Sequence, residues 1–182
     1  MTLPLIHRLV TLCKRYGPGR LPLGNRRDIG GGYAMMTAGV LAAIAFLLVT
    51  ALQALYVGRS YTTDLLSIYV VYIPPFVLAS FPTGVLTWRF LPADTPKFGA
   101  VAGSLTALLS YLTGGVGVAL YFITVESLEF GLLSTGDIIE FVILGLYVGL
   151  VALVISGLIV VPLGALSGYV HERSRSASVD SA

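Results

Sequence analysis

Charge is the scarcest property of this sequence. Only 11% of its 182 residues are Asp, Glu, Lys or Arg, about half the share found in soluble globular domains. That shortage excludes a water-facing surface wrapped around a buried core. Cysteine is nearly absent as well: Cys13 stands alone, so no disulfide can form within the chain. The only asparagine, Asn25, precedes two arginines and is no glycosylation acceptor. The two histidines, His7 and His171, fall outside the long apolar runs, in the flanks. Neither is expected to serve a buried nucleophile or a metal cluster. No Gly-Lys-Ser/Thr follows the glycines at 30–32, so they are no phosphate loop.

Apolar sequence is what the chain has instead. It is 56% hydrophobic, with a mean hydropathy of +0.90. Four uninterrupted runs lie at 33–57, 65–88, 98–125 and 138–168. A span needs about 20 apolar residues to cross roughly 30 Å of hydrocarbon. The expected fold is therefore an all-α membrane protein with four transmembrane helices in a domain over 33–170. A basic segment (1–32) precedes it and a short polar tail (171–182) follows. The N-terminus does not read as a cleaved signal, because His7 and Arg8 break its apolar stretch.

The sparse charges are unevenly placed. With the N-terminus in the cytoplasm, the inner side receives Arg8, Lys14, Arg15, Arg20, Arg26, Arg27, Arg89, Lys97, Arg173 and Arg175. The outer side receives Arg59 alone, together with Asp64, Glu126, Glu129, Asp137 and Glu140. The positive-inside rule then sets both termini in the cytoplasm of a multi-pass protein of the cell membrane. Residues 3–16 put Leu5, Ile6, Leu9, Val10, Leu12 and Cys13 at helical spacing, with His7, Arg8, Lys14 and Arg15 between them. That pattern predicts an amphipathic interfacial helix on the inner leaflet. Residues 17–32 read as a glycine- and proline-rich linker. Asp64 is expected to cap the second span and Thr95, ahead of Pro96, the third. Asp137 and Glu140 fit a capping box for the fourth.

The second and fourth spans share a pattern. PTGVLTW at 82–88 and PLGALSG at 162–168 both read Pro-x-Gly-x-Leu-Thr/Ser. AGVLAAI at 38–44 similarly matches AGSLTAL at 102–108. A duplicated two-helix hairpin accounts for both matches, its halves being parallel repeats about an axis along the membrane normal. Pro82 and Pro162 each free the carbonyl four residues earlier, at Leu78 and Leu158. Pro82, Gly84, Pro162 and Gly164 thus mark a candidate ligand site, since paired helix breaks in two halves point to one. Gly99, Gly103, Gly145, Gly149, Gly164 and Gly168 instead form small-residue seams for helix packing, as do Ala34, Ala38 and Ala42.

The middle of every span lacks Asp, Glu, Lys, Arg and His, which proton relays and ion-coupled transport ordinarily need. Gln53, Tyr69, Tyr72, Ser80, Thr106, Ser110, Tyr111, Thr113, Tyr147 and Ser156 remain there as hydrogen-bonding groups. Their expected use is cross-helix bonding, and a neutral substrate is the alternative. Aromatics near span ends, Trp88 among them, read as an interfacial belt.

PPFVLASFPTGVLTW, KFGAVAGSL and PLGALSGYVHER together resemble small four-helix membrane proteins of uncharacterised function found in archaea, especially halophilic ones. The resemblance covers about residues 65–175. It implies the same four-helix fold and carries over no catalytic residue. The chain departs from that group in its long basic N-terminal segment and in Trp88, which stands where the other half has Gly168. The expected function is a non-enzymatic structural or accessory membrane subunit, in a homo-oligomer or a larger membrane complex. The alternative is a small-molecule transporter or channel subunit with its site near the Pro-x-Gly pairs. No cofactor, metal or nucleic acid is expected; the lipid bilayer is the one certain partner.

Overall fold

The computed structural model describes residues 21–24, 26–57, 62–92, 94, 95 and 97–179. The amphipathic segment expected at 3–16 lies outside them. Four helices form: α1 (Arg27–Val57), α2 (Thr62–Phe90), α3 (Phe98–Phe130) and α4 (Thr135–Val179). Each is long and apolar enough to cross a membrane. Helices are what such sequence must form in lipid, where every backbone N–H and C=O has to find its partner within the segment.

The helices stand in a ring. α1 packs on α2, α2 on α3 and α3 on α4; α4 returns to α1, while α1 and α3 barely meet across the middle. Consecutive helices run antiparallel, so the starts of α1 and α3 meet the ends of α2 and α4. This end carries Arg26, Arg27, Arg89, Lys97, Arg173 and Arg175, offset by Asp28, Asp94 and Glu172. Glu126, Glu129, Asp137 and Glu140 sit at the other end. α4 has 45 residues, about 68 Å of helix against roughly 30 Å of hydrocarbon.

Several helix boundaries differ from the sequence reading. Helix α1 starts at Arg27 and absorbs the glycine run assigned to the linker. Side chains at 30–32 would collide with neighbours: Gly30 meets His171 at 2.8 Å, Gly31 lies on the Trp88 indole and Gly32 meets Val85 at 2.6 Å. Helix α2 begins at Thr62, ahead of Asp64, so Asp64 lies inside it. The cap of α3 is Lys97, in a left-handed backbone conformation (φ 54°) with no side-chain cap bond. The Thr95 hydroxyl donates instead to the Pro92 carbonyl at 2.7 Å. The capping box of α4 lies three residues earlier than expected. The Ser134 hydroxyl and N–H both donate to Asp137 Oδ2, at 2.7 and 2.9 Å, and the Asp137 N–H returns to Ser134 Oγ at 3.3 Å. Helix α4 also continues past Arg175 to Val179, where the sequence reading has a polar tail.

The prolines do not break their helices. Pro74, Pro75 and Pro82 lie within α2, and Pro162 within α4. A second difference concerns Trp88. Far from anchoring at an interface, it is 1% exposed and among the most buried side chains. It lies over Gly31, with its ring edge-on to Phe98 (6.0 Å) and to His171 (6.2 Å). His171, read as a flank residue, is 8% exposed. The glycines of α1 make room for an aromatic of α2, which closes the basic end of the bundle.

Candidate functional site

Glycine contacts set how closely α3 and α4 approach. Near the basic end the backbone of Gly99 lies against Gly168, and that of Gly103 against Gly164. Toward the other end Gly115 faces the Gly145 carbonyl, and Gly149 meets the Tyr111 carbonyl. All six glycines assigned to packing thus lie on one seam. The two clusters of contact are unequally spaced on the two helices. From Gly103 to Tyr111 the rise is about 12 Å, whereas from Gly149 to Gly164 it is about 22 Å. Helix α4 therefore bows away from α3 between its two points of contact, and Pro162 falls at one end of the bowed stretch.

The bow leaves a chamber of about 480 Å³ inside the ring, lined by all four helices. Ala38, Gly39, Ala42 and Phe46 face it from α1, and Tyr69, Tyr72, Phe76 and Ser80 from α2. Helix α3 contributes Ala107, Ser110 and Tyr111; α4 contributes Tyr147, Val151, Ile155 and Ser156 among others. The stripe Ala34, Ala38, Ala42 thus divides: Ala34 joins a helix contact, and the other two hollow the chamber wall. No lining residue is Asp, Glu, Lys, Arg or His.

Hydroxyl groups supply its polarity, and most are already oriented. Ser80 donates to the Val77 carbonyl (2.6 Å), Ser110 to Thr106 (2.7 Å) and Ser156 to Ala152 (2.7 Å). Such bonds to the preceding turn satisfy a hydroxyl that lipid cannot. Since the Ser156 proton is committed, Tyr111 is the donor in their 2.5 Å contact. By the same reasoning Thr83 donates to Thr113 at 3.0 Å, because Thr113 donates to the Leu109 carbonyl. With Ser167 donating to the Ala34 carbonyl at 3.1 Å, these bonds cross between α3 and α4, α2 and α3, and α4 and α1. Thr106 serves its own helix, donating to the Ala102 carbonyl at 2.8 Å.

The four residues of the Pro-x-Gly pattern are not brought together. Pro82 and Pro162 are exposed on the outside of the bundle. Gly84 fills the α1–α2 seam, where a Cβ would lie 2.9 Å from Gly32 Cα, and Gly164 fills the α3–α4 seam. Gly164 alone borders the chamber. The tyrosines that line it were visible in the sequence only as scattered polar residues. Their common destination depends on the bow of α4, which no local signal encodes.

A second polar group lies at the basic end. Arg27 Nε, Trp88 Nε1 and His171 Nε2 are buried and make no hydrogen bond among the described residues. The Arg27 guanidinium rests 3.9 Å over the Phe98 ring, a cation–π contact. Among the described residues no three of His, Cys, Asp and Glu gather as metal ligands. No known family profile, curated protein or solved structure matches the chain.

Proposed function

We propose that this protein is a membrane-embedded binding subunit that holds a small uncharged molecule among its four helices. The observation that carries the reading is the chamber of about 480 Å³ lined from all four sides. Its volume falls within the range of small-molecule sites, about 300–1,000 Å³. A binding role is favoured over a catalytic one by the lining. A serine nucleophile needs an adjacent base, and Ser80, Ser110 and Ser156 share the chamber with no His, Asp, Glu or Lys. This reading moves the small-molecule alternative away from the exposed prolines and onto the tyrosine- and serine-lined wall. Transport across the membrane is one use of such a site.

Filling the chamber tests it. Ala42→Trp in reconstituted protein should lower the capture of a neutral ligand at least tenfold while the thermal transition persists. Undiminished capture would remove the reading.

A second reading, a structural or accessory subunit of a homo-oligomer or larger complex, draws support from the α3–α4 glycine seam, which favours rigid packing over movement. A cell-membrane location with both termini in the cytoplasm rests on the basic residues at one end of the bundle. The resemblance to archaeal four-helix proteins assigns no residue a role. The duplicated-hairpin idea is supported by Gly84 and Gly164, each of which fills the seam of its own hairpin. The registers differ, however. Gly164 meets Gly103, while Gly84 meets Gly32, about two turns from Gly39, the residue that the sequence match pairs with Gly103.

A further inference from the structure

We infer that the chamber takes a neutral long-chain amphiphile, an apolar chain with one hydroxyl head, and admits it sideways from the bilayer between α1 and α4. This rests on the binding role proposed above and adds a ligand class and a route.

The route follows from where α1 and α4 touch. Their described close contacts are Gly30 with His171, Ala34 with Ser167 and Met35 with Gly164, all toward the basic end. Beyond them the bow of α4 carries it outward, and the small residues Ala38, Gly39, Ala42 and Ala43 leave the facing side of α1 shallow. Exposure of the lining agrees. The α3 wall is closed, with Ala107, Ser110 and Tyr111 at 3%, 8% and 7%, whereas Ile155 and Tyr147 of α4 are 67% and 63% exposed. The open side therefore lies along the lipid-facing flank, where the surroundings are hydrocarbon and only a lipid-soluble molecule is at hand.

The ligand class follows from the lining. With no Asp, Glu, Lys, Arg or His in the lining to offset it, a charged head would be left unpaired in a medium of low dielectric. Ser80, Ser110, Ser156 and Tyr111 have each committed their proton to another group, so what they offer inward is oxygen lone pairs. Those lone pairs, with the Tyr69, Tyr72 and Tyr147 phenols on the same wall, match a hydroxyl head, which both donates and accepts. The apolar chain fits against Phe46, Ile73, Phe76, Val148 and Val151.

The test uses the full chain carrying Cys13→Ser in lipid nanodiscs, with a diazirine-bearing hexadecanol as probe and the same chain ending in a sulfonate as comparison. Photolabelling of chamber residues on α1 and α4, mapped by mass spectrometry, should saturate and be competed by unlabelled hexadecanol. The sulfonate should label them at least tenfold less. A second variant adds Ala43→Cys and Ile155→Cys, bridged by a bis-maleimide before the probe is supplied. Bridging should reduce chamber labelling at least tenfold, and the unbridged double variant should label normally. Absence of saturable labelling in the unbridged protein would overturn the binding role itself. Equal labelling by the sulfonate would overturn only the ligand class, and full labelling of bridged protein only the sideways route.

Discussion

Single residues of this protein act mainly by what they omit. In lipid no hydrophobic effect drives helix against helix, so contact depends on close packing and a few hydrogen bonds. Gly31 is the clearest instance. Its Cα faces the Trp88 indole closely enough that even a methyl group would overlap the ring. Gly31→Ala is expected to lower stability by about 1–3 kcal/mol, the usual cost of overpacking a filled site. Gly157 offers the contrast, since a methyl there meets only the end of the Leu153 side chain, at 3.0 Å. Gly157→Ala should be neutral or stabilising, by up to about 1 kcal/mol, because alanine is the better helix former. Thermal unfolding of the two variants in one detergent compares them directly; equal shifts would contradict the Trp88 contact.

At the scale of the element, helices α2 and α4 tolerate prolines that would end a helix in water. Both prolines of the Pro-x-Gly pattern are exposed on the outside of the bundle, so the carbonyls they free do not open the core. The start of α4 follows the local capping rule, three residues earlier than the sequence reading put it. Ser134 and Asp137 form a reciprocal cap, which Asp137 and Glu140 also fit by spacing alone. Two overlapping matches to one motif are not separable from sequence, and the position of the preceding turn, with Gly131 at φ 89°, selects between them. Ser134→Ala is expected to cost about 1 kcal/mol. The loss should appear as faster amide hydrogen exchange confined to the first turn of α4, with the α3–α4 seam unchanged.

For the whole molecule, ring order and antiparallel packing bring the basic helix ends together. Cysteines introduced singly at Arg26 and Arg173 in a Cys13→Ser background should therefore react with a membrane-impermeant maleimide from the same side. Reaction from opposite sides would refute an even number of crossings. The chamber also belongs to this scale. It arises because two helices of different path length share contacts at two points, and neither helix contains it alone.

The sequence by itself determined four helices long and apolar enough to cross a membrane, the clustering of positive charge at one end and the glycines that meet on the α3–α4 seam. These depend on composition and on local spacing, which hydrocarbon thickness and backbone hydrogen bonding convert directly into structure. Only the tertiary structure decided that Gly30–Gly32 are helical, that Trp88 is core, that the Pro-x-Gly residues stay apart and that four tyrosines share a cavity. Each of those outcomes depends on a neighbour brought close from a distant part of the chain, and such proximity is fixed by packing between helices rather than by the pattern within any one of them.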